Sequence, residues 1–246
     1  MRMDDSRQSL VEHLDDLRQA ILTSLAALLA AALAGYFMAP EVMGYLKRLL
    51  PVPNLVFFGP FDGFYLQIRM AVTLGMIMAF PVFVASTVWF IGPGLTVREK
   101  RVALYGGAAA LALFIGGAAY ALTITLPLLL AFLMTFSTPE MLPVVAGEDF
   151  MTFVLSFLIY SGLVFELPLF IFLLLYLDIL SPRLINLHRK ACFACLLSLT
   201  LFFAPGGDLL TQVLMALPLY VLFELAVVTA KYTPKYMSKI RGDYNV

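Results

Sequence analysis

Long apolar stretches separated by short polar segments dominate the pattern of this chain. A helix needs about 20 apolar residues to cross a hydrocarbon core about 30 Å thick. Four stretches meet this length, and we place membrane spans at about 21–38, 68–91, 102–134 and 150–177. Pro81, Pro127 and Pro168 fall inside or near the ends of these spans. We expect a kink at each, because proline cannot donate a backbone hydrogen bond.

The last third of the chain carries two shorter apolar runs. Ala191–Ala204 is interrupted by Pro205-Gly206-Gly207-Asp208, and Leu209–Phe223 is interrupted by Glu224. At 1.5 Å per residue each run reaches about 21–23 Å, which is less than the bilayer core. The runs are consistent with a re-entrant pair, or with two short spans, about 191–204 and 209–229, that thin the membrane locally.

Composition places the chain outside the soluble globular class. It is 62% hydrophobic and 13% charged, with a mean hydropathy of +0.94, whereas soluble domains are about 25% charged. We therefore predict one integral membrane domain, 1–246, of the all-α polytopic class. The first apolar run, Ile21–Met38, exceeds the 7–15 residues typical of a cleaved signal peptide. It is interpreted as a retained span. The net charge of zero gives no indication of nucleic-acid binding.

The distribution of basic residues predicts the orientation. If six helices cross the membrane, 13 of the 16 Lys and Arg residues lie on one side, in the two terminal segments and in the second-to-third and fourth-to-fifth loops. Cytoplasmic segments carry this excess of positive charge. We predict six transmembrane helices, the last two short, with both termini in the cytoplasm. A re-entrant pair would leave the termini on the same side.

Three polar residues fall where a membrane makes them costly. Glu166 lies near the middle of the fourth span, next to Pro168, and an ionised carboxylate there is expensive. It is interpreted as a polar docking or hydration point, or as a structural hydrogen-bonding group. Asp208 and Gln212 are four residues apart and share a helical face. Asp208 also follows Pro-Gly-Gly, which is equally typical of a structural N-cap.

Charged residues also cluster on the predicted cytoplasmic side. Asp15, Asp16 and Arg18 precede the first span, and Glu99 lies within Arg98-Glu99-Lys100-Arg101. Exposed carboxylates on one face are suited to receive a basic peptide.

The two cysteines, Cys192 and Cys195, form a C-x-x-C pair at the start of an apolar run. We interpret them as small buried hydrophobic residues rather than as a redox pair.

At these residues the chain resembles the TatC family, the multispanning receptor of the twin-arginine protein translocase. The resemblance runs from about His13 to Glu224. Its main segments, in chain order, are His13-Leu14-Asp15-Asp16-Leu17-Arg18, Gly59-Pro60-Phe61-Asp62-Gly63-Phe64, Phe90-Ile91-Gly92-Pro93-Gly94-Leu95, Phe165-Glu166-Leu167-Pro168 and Ala204-Pro205-Gly206-Gly207-Asp208 with Gln212. Asp16 and Asp62 stand where the family usually has Glu, and Gly207 stands where a second Pro is usual.

The resemblance implies a fold, partners and site residues. The helices would form a concave, cupped arrangement in the bacterial cytoplasmic (inner) membrane. Asp16, Arg18, Glu99 and Arg101 would bind twin-arginine signal peptides of folded substrates. Glu166, Pro168, Asp208 and Gln212 would form intramembrane contacts with partner helices. Pro60, Asp62 and Phe64 would form a motif of the first outside loop.

The expected partners are single-span proteins of the TatA and TatB type, the lipid bilayer and further copies of the chain. Energy would come from the proton-motive force. We predict a translocase subunit with no catalytic residues, no cofactor and no metal site. The alternative is a secondary transporter or channel that uses Glu166 and Asp208 as a proton relay. A membrane thiol oxidoreductase that uses the two cysteines is a more distant alternative.

Overall fold

The computed structural model describes residues 10–50, 55–136, 144–177, 179–180, 185, 187–203 and 209–231. Eight α-helices are defined within these residues: α1 (Leu10–Leu49), α2 (Asp62–Ile91), α3 (Val97–Tyr120), α4 (Leu126–Met134), α5 (Gly147–Phe165), α6 (Leu167–Tyr176), α7 (Arg189–Phe203) and α8 (Leu209–Lys231). A 3-10 turn spans Gly92–Gly94, and a π-helical turn spans Ala121–Thr125. The described strands are β1 (Leu55–Val56) and β2 (Val145–Ala146), which pair in parallel.

These helices form six rods within the described residues. The π-helical turn joins α3 to α4, and Glu166 alone separates α5 from α6. The chain is therefore an all-α polytopic membrane protein, as the apolar pattern predicts. Five rods are long and apolar enough to cross a membrane. The crossing by all six rods, the position of the termini and the single domain over 1–246 remain predictions.

Two of the three span-associated prolines coincide with interruptions of a helix. Pro127 follows the π-helical turn and lies in the first turn of α4. Pro168 lies in the first turn of α6, directly after the break at Glu166. Proline is tolerated in a first turn because its missing N–H has no intrahelical acceptor there. Pro81, by contrast, lies inside the continuous helix α2.

The first and last helices are longer than their apolar runs predict. Helix α1 has 40 residues, about 60 Å, and continues through Pro40 to Leu49, well past the end of the predicted span at residue 38. Helix α7 is short, with 15 residues, as predicted. The last helix, α8, matches the predicted span 209–229, but it is not short, since it has 23 residues and passes through Glu224.

The chain divides into two compact units. The first consists of Met1–Gly44 and Gly63–Leu111. Within it, α1 and α2 approach closely at two glycines. A Cβ atom on Gly75 would lie 2.7 Å from the backbone of Ala32, and one on Gly35 would lie 2.8 Å from the carbonyl oxygen of Ala71. Glycine is therefore required for this backbone-to-backbone packing, which is typical of membrane helices.

The second unit consists of Tyr45–Asp62 and Ala112–Val246. Helix α5 is its most buried described element, and its side chains at Met151, Val154 and Leu155 are almost fully enclosed. Helices α6, α7 and α8 share a second apolar cluster that includes Leu175, Leu196, Phe223 and Val227, with Cys192 packed against it. Cys195 is exposed, so the prediction of two buried cysteines is wrong for the second one.

Candidate functional site

The N-terminal part of α1 presents the first group of predicted site residues. Asp16 is half-buried, whereas Arg18 is exposed. The Arg18 guanidinium lies 3.8 Å from the carboxylate of Asp15, and both side chains are about three-quarters exposed. An ion pair with this exposure contributes little to stability. Arg18 can therefore exchange this contact for another at small cost.

Glu99 has a structural role that the sequence interpretation missed. Its Oε2 atom accepts hydrogen bonds from the backbone N–H of Thr96 at 3.0 Å and from the Thr96 hydroxyl at 2.8 Å. The backbone N–H of Glu99 lies 3.4 Å from the same hydroxyl. This reciprocal pattern is a capping box, and it holds the start of α3. The sequence signal for this cap is the spacing Thr96-x-x-Glu99.

An aromatic stack brings the two charged segments to one end of the first unit. The rings of His13 in α1 and Phe90 in α2 are 4.5 Å apart and nearly parallel, at 18°. His13 precedes Asp16 by one helical turn, and Phe90 precedes the 3-10 turn that leads to Glu99. Arg101 follows in α3 and is exposed. We call the end formed by Asp16, Arg18, Glu99 and Arg101 the acidic-basic face.

Glu166 lies at the break between α5 and α6. Its backbone carbonyl accepts a hydrogen bond from Phe170, and its N–H donates to Leu163. The carboxyl interacts with the backbone of Phe114, but its Oε1 atom is buried and has no hydrogen-bond partner among the described residues. Buried polar atoms are nearly always paired. This orphaned oxygen therefore marks a position suited to an external donor.

A group of side chains that the sequence interpretation did not single out connects the third rod, α5 and α8. Ser161 donates a hydrogen bond to the carbonyl of Gly117 at 2.8 Å, and its hydroxyl lies 3.8 Å from the Met215 sulfur. Thr125 approaches the same sulfur at 3.9 Å. Tyr120 donates to the carbonyl of Leu214 at 2.8 Å. We call Tyr120, Thr125, Ser161 and Met215 the intramembrane polar cluster.

The other predicted intramembrane residues have separate environments. Pro168 is buried in the first turn of α6. The side-chain amide of Gln212 donates to the carbonyl of Leu197 at 3.3 Å, which ties α8 to α7. Asp208 lies outside the described residues, so the structure does not test its pairing with Gln212 or its part in a proton relay.

The outside-loop motif has a local structural role at the start of α2. The Oδ2 atom of Asp62 accepts hydrogen bonds from the backbone N–H groups of Phe58 at 2.9 Å and Gly59 at 2.8 Å. This closes the turn in which Pro60 is exposed. Phe64, in the first turn of α2, is also exposed. The parallel pairing of β1 with β2 joins this loop to the segment that precedes α5.

A further charged contact explains why α8 continues past its apolar run. The Arg189 guanidinium of α7 lies 3.0 Å from Glu224, and the Tyr220 hydroxyl donates to the same carboxylate at 3.0 Å. A paired and hydrogen-bonded carboxylate does not need to end a helix. The partner of Glu224 is 35 positions away, so the local sequence does not indicate this contact.

Comparison with known proteins covers nearly the whole chain. The family described as "Sec-independent protein translocase protein (TatC)" matches residues 12–218. The chain is 32% identical to the Sec-independent protein translocase protein TatC of Carboxydothermus hydrogenoformans, over 96% of this chain and 98% of that protein. It is 29% identical to the protein of the same name from Aquifex aeolicus, over 94% and 98%.

A solved structure gives the same result. The fold is similar to a crystal structure of the twin arginine translocase receptor TatC, with a TM-score of 0.77 and 30% identity, over 89% of this chain and all of the other. The family match, the relatives and the solved structure each cover most of this chain. The chain therefore belongs to the TatC family of Sec-independent protein translocase proteins.

Proposed function

We propose that this chain is the receptor for twin-arginine signal peptides and the core subunit of a translocase that exports folded proteins with the proton-motive force. The observation that carries the proposal is the acidic-basic face, where the His13–Phe90 stack holds two charged segments at one end of the first unit. A carboxylate is the natural partner of a guanidinium group. Asp16 and Glu99 are therefore proposed to receive the arginine pair.

The surrounding basic residues indicate on which side of the membrane this face lies. Arg18 and Arg101 belong to the segments whose positive charge favours the cytoplasmic side. We infer that the chain lies in the bacterial cytoplasmic membrane with both termini in the cytoplasm. A signal peptide that arrives from the cytoplasm would then meet the acidic-basic face directly.

The proposed partners of the second unit are single-span proteins of the TatA and TatB type. The Oε1 atom of Glu166 supports this assignment, because an intramembrane carboxyl oxygen with no hydrogen-bond partner among the described residues is suited to a polar group on another helix. The helix also breaks at Glu166, shortly before Pro168. Such a break at membrane depth is tolerated where the backbone lies against protein, which is consistent with a partner helix at this position. Membership of a translocase family does not favour the alternative of a secondary transporter.

Site-specific crosslinking tests the proposal. A twin-arginine peptide that carries a photoreactive group beside its arginine pair should crosslink to positions next to Asp16 and Glu99. The matched control is a peptide with two lysines, which keeps the charge and lacks the bidentate fork. Crosslinks confined to the outside loops, or equal yields with the lysine peptide, would contradict the assignment.

A further inference from the structure

A groove lies between α1 and α2 inside the first unit. Its walls include Gln19, Ala20 and Thr23 from α1 and Pro81, Ser86 and Trp89 from α2, and its volume is about 440 Å³. The two helices touch beyond each end of it. The backbone contact at Gly35 and Gly75 closes one end, and the His13–Phe90 stack marks the other. We call this space the α1–α2 groove.

The groove continues the face of α1 that carries Asp16. Asp16, Gln19, Ala20 and Thr23 have the spacing i, i+3, i+4 and i+7, which places them along one side of a helix. Thr23 lies about 10 Å along the axis from Asp16. A chain that begins at the acidic-basic face and follows α1 into the membrane therefore enters the groove after about one helical turn.

The chemistry of the walls favours a peptide over a lipid tail. Most of the lining is apolar, which suits aliphatic side chains. Gln19, Thr23 and Ser86 add hydrogen-bonding groups that an acyl chain could not use, whereas a peptide backbone or side chain could. The volume lies within the range of about 300–1,000 Å³ that is typical of ligand sites, and it is large enough for a few apolar side chains.

We propose that the α1–α2 groove receives the apolar segment that follows the arginine pair of a twin-arginine signal peptide. Signal peptides place an apolar stretch of 7–15 residues directly after their positively charged region. Charge complementarity at the acidic-basic face and shape complementarity in the groove would then be used by consecutive parts of one ligand. The inference rests on the proposed receptor function and adds the position of the second part of the ligand.

Disulfide crosslinking in membrane vesicles tests the inference on the full chain. The background variant replaces both native cysteines, Cys192→Ser and Cys195→Ser. Single cysteines are then introduced as A85C in the groove wall, as F83C on the exposed side of α2, and as V97C beside Glu99. The peptide carries one cysteine, either next to its arginines or in its apolar segment.

The expected pattern separates the two proposals. The arginine-flanking cysteine should react with V97C, and the apolar-segment cysteine should react with A85C at least about tenfold more than with F83C. If V97C reacts while A85C and F83C react equally or not at all, the groove does not receive the apolar segment, and the receptor function still stands. Equal reaction is the result expected if the segment enters the lipid and lipid fills the groove. Reaction at none of the positions would contradict the proposed receptor function itself.

A filling substitution gives an independent readout. S86L should occupy the groove and weaken binding of the arginine peptide roughly tenfold, which corresponds to the loss of about two buried methylene groups. F83L is the matched control on the same helix, and it should bind as the parent does. Circular dichroism of both variants checks that they are folded. Unchanged binding in a folded S86L variant would overturn the inference.

Discussion

Substitution of Glu99 by Gln separates the charge of this residue from its structural role. The Glu99 carboxylate holds the start of α3 through two hydrogen bonds to Thr96. A glutamine side chain can serve the same capping box, because its carbonyl oxygen accepts the same bonds. The variant therefore keeps the helix start and removes one negative charge from the proposed arginine site.

The magnitude follows from exposure and distance. Two unit charges about 4 Å apart interact by roughly 1 kcal/mol in bulk water and roughly 4 kcal/mol at the effective dielectric constant near a protein surface. Glu99 is half-buried, and the interaction energy of a partly exposed ion pair lies toward the lower of these two values. We expect a loss of about 1.4 kcal/mol, which is a tenfold increase in Kd for a twin-arginine peptide.

The assay is equilibrium binding of a fluorescent peptide to the chain reconstituted in lipid nanodiscs, together with thermal unfolding of the same samples. Glu99→Gln should raise Kd about tenfold and leave Tm unchanged. Thr96→Ala is the matched variant, since it removes the cap and keeps the charge. It should lower the free energy of unfolding by about 1 kcal/mol with a smaller effect on Kd. Parent-like binding by Glu99→Gln would refute the charge argument.

Three further predictions concern the second unit. Glu166→Leu should reduce export of a twin-arginine substrate by about tenfold or more, and Glu166→Gln should retain part of it, because the amide keeps hydrogen-bonding capacity; normal export by the Leu variant would exclude a role in partner contact. Gly117→Ala places a Cβ atom 2.7 Å from a phenylalanine ring and should destabilise the detergent-solubilised chain by about 1–3 kcal/mol. Gly116→Ala, which meets no atom within 4 Å, is its control, and equal Tm values would contradict the packing. A double-mutant cycle of Glu224→Ala with Arg189→Ala should give a coupling energy of about 0.3–1 kcal/mol, given side chains that are 25% and 46% exposed; no coupling would mean that the pair does not stabilise the α7–α8 contact.

The sequence predicted the features that depend on local composition. Four long spans and the short helix α7 follow from apolar length alone. The full extent of α1 did not follow, because Pro40 and the amphipathic segment after it resemble a boundary, although a long helix can contain a proline. Helix α8 continues past its apolar run for a different reason. The charge of Glu224 is neutralised by Arg189, and that contact exists only after folding.

The features of the candidate site also divide into those that local composition indicates and those that depend on how the helices pack. Asp16 and Glu99 were predicted as site residues because charged residues stand out at the end of an apolar run. The groove between α1 and α2 could not be found from sequence, because its existence depends on where two helices touch and where they separate. Ser161 and Thr125 were missed since single hydroxyl residues in a span are common and can satisfy their own backbone. Their relation to Met215 emerges only when three helices are assembled.

The π-helical turn at Ala121–Thr125 determines how the two halves of the third rod are phased. In a regular α-helix, Tyr120 and Thr125 would point about 140° apart, because each residue rotates the chain by about 100°. A turn with i→i+5 hydrogen bonds places residues five apart nearly above one another. Both side chains accordingly reach adjacent residues of α8, Leu214 and Met215. Deletion of one residue from this turn would place the two side chains four apart in a regular α-helix, where they would still lie on one face. The third rod thus holds one residue more than a regular α-helix that presents the same face to α8, and its hydropathy does not reveal this extra residue.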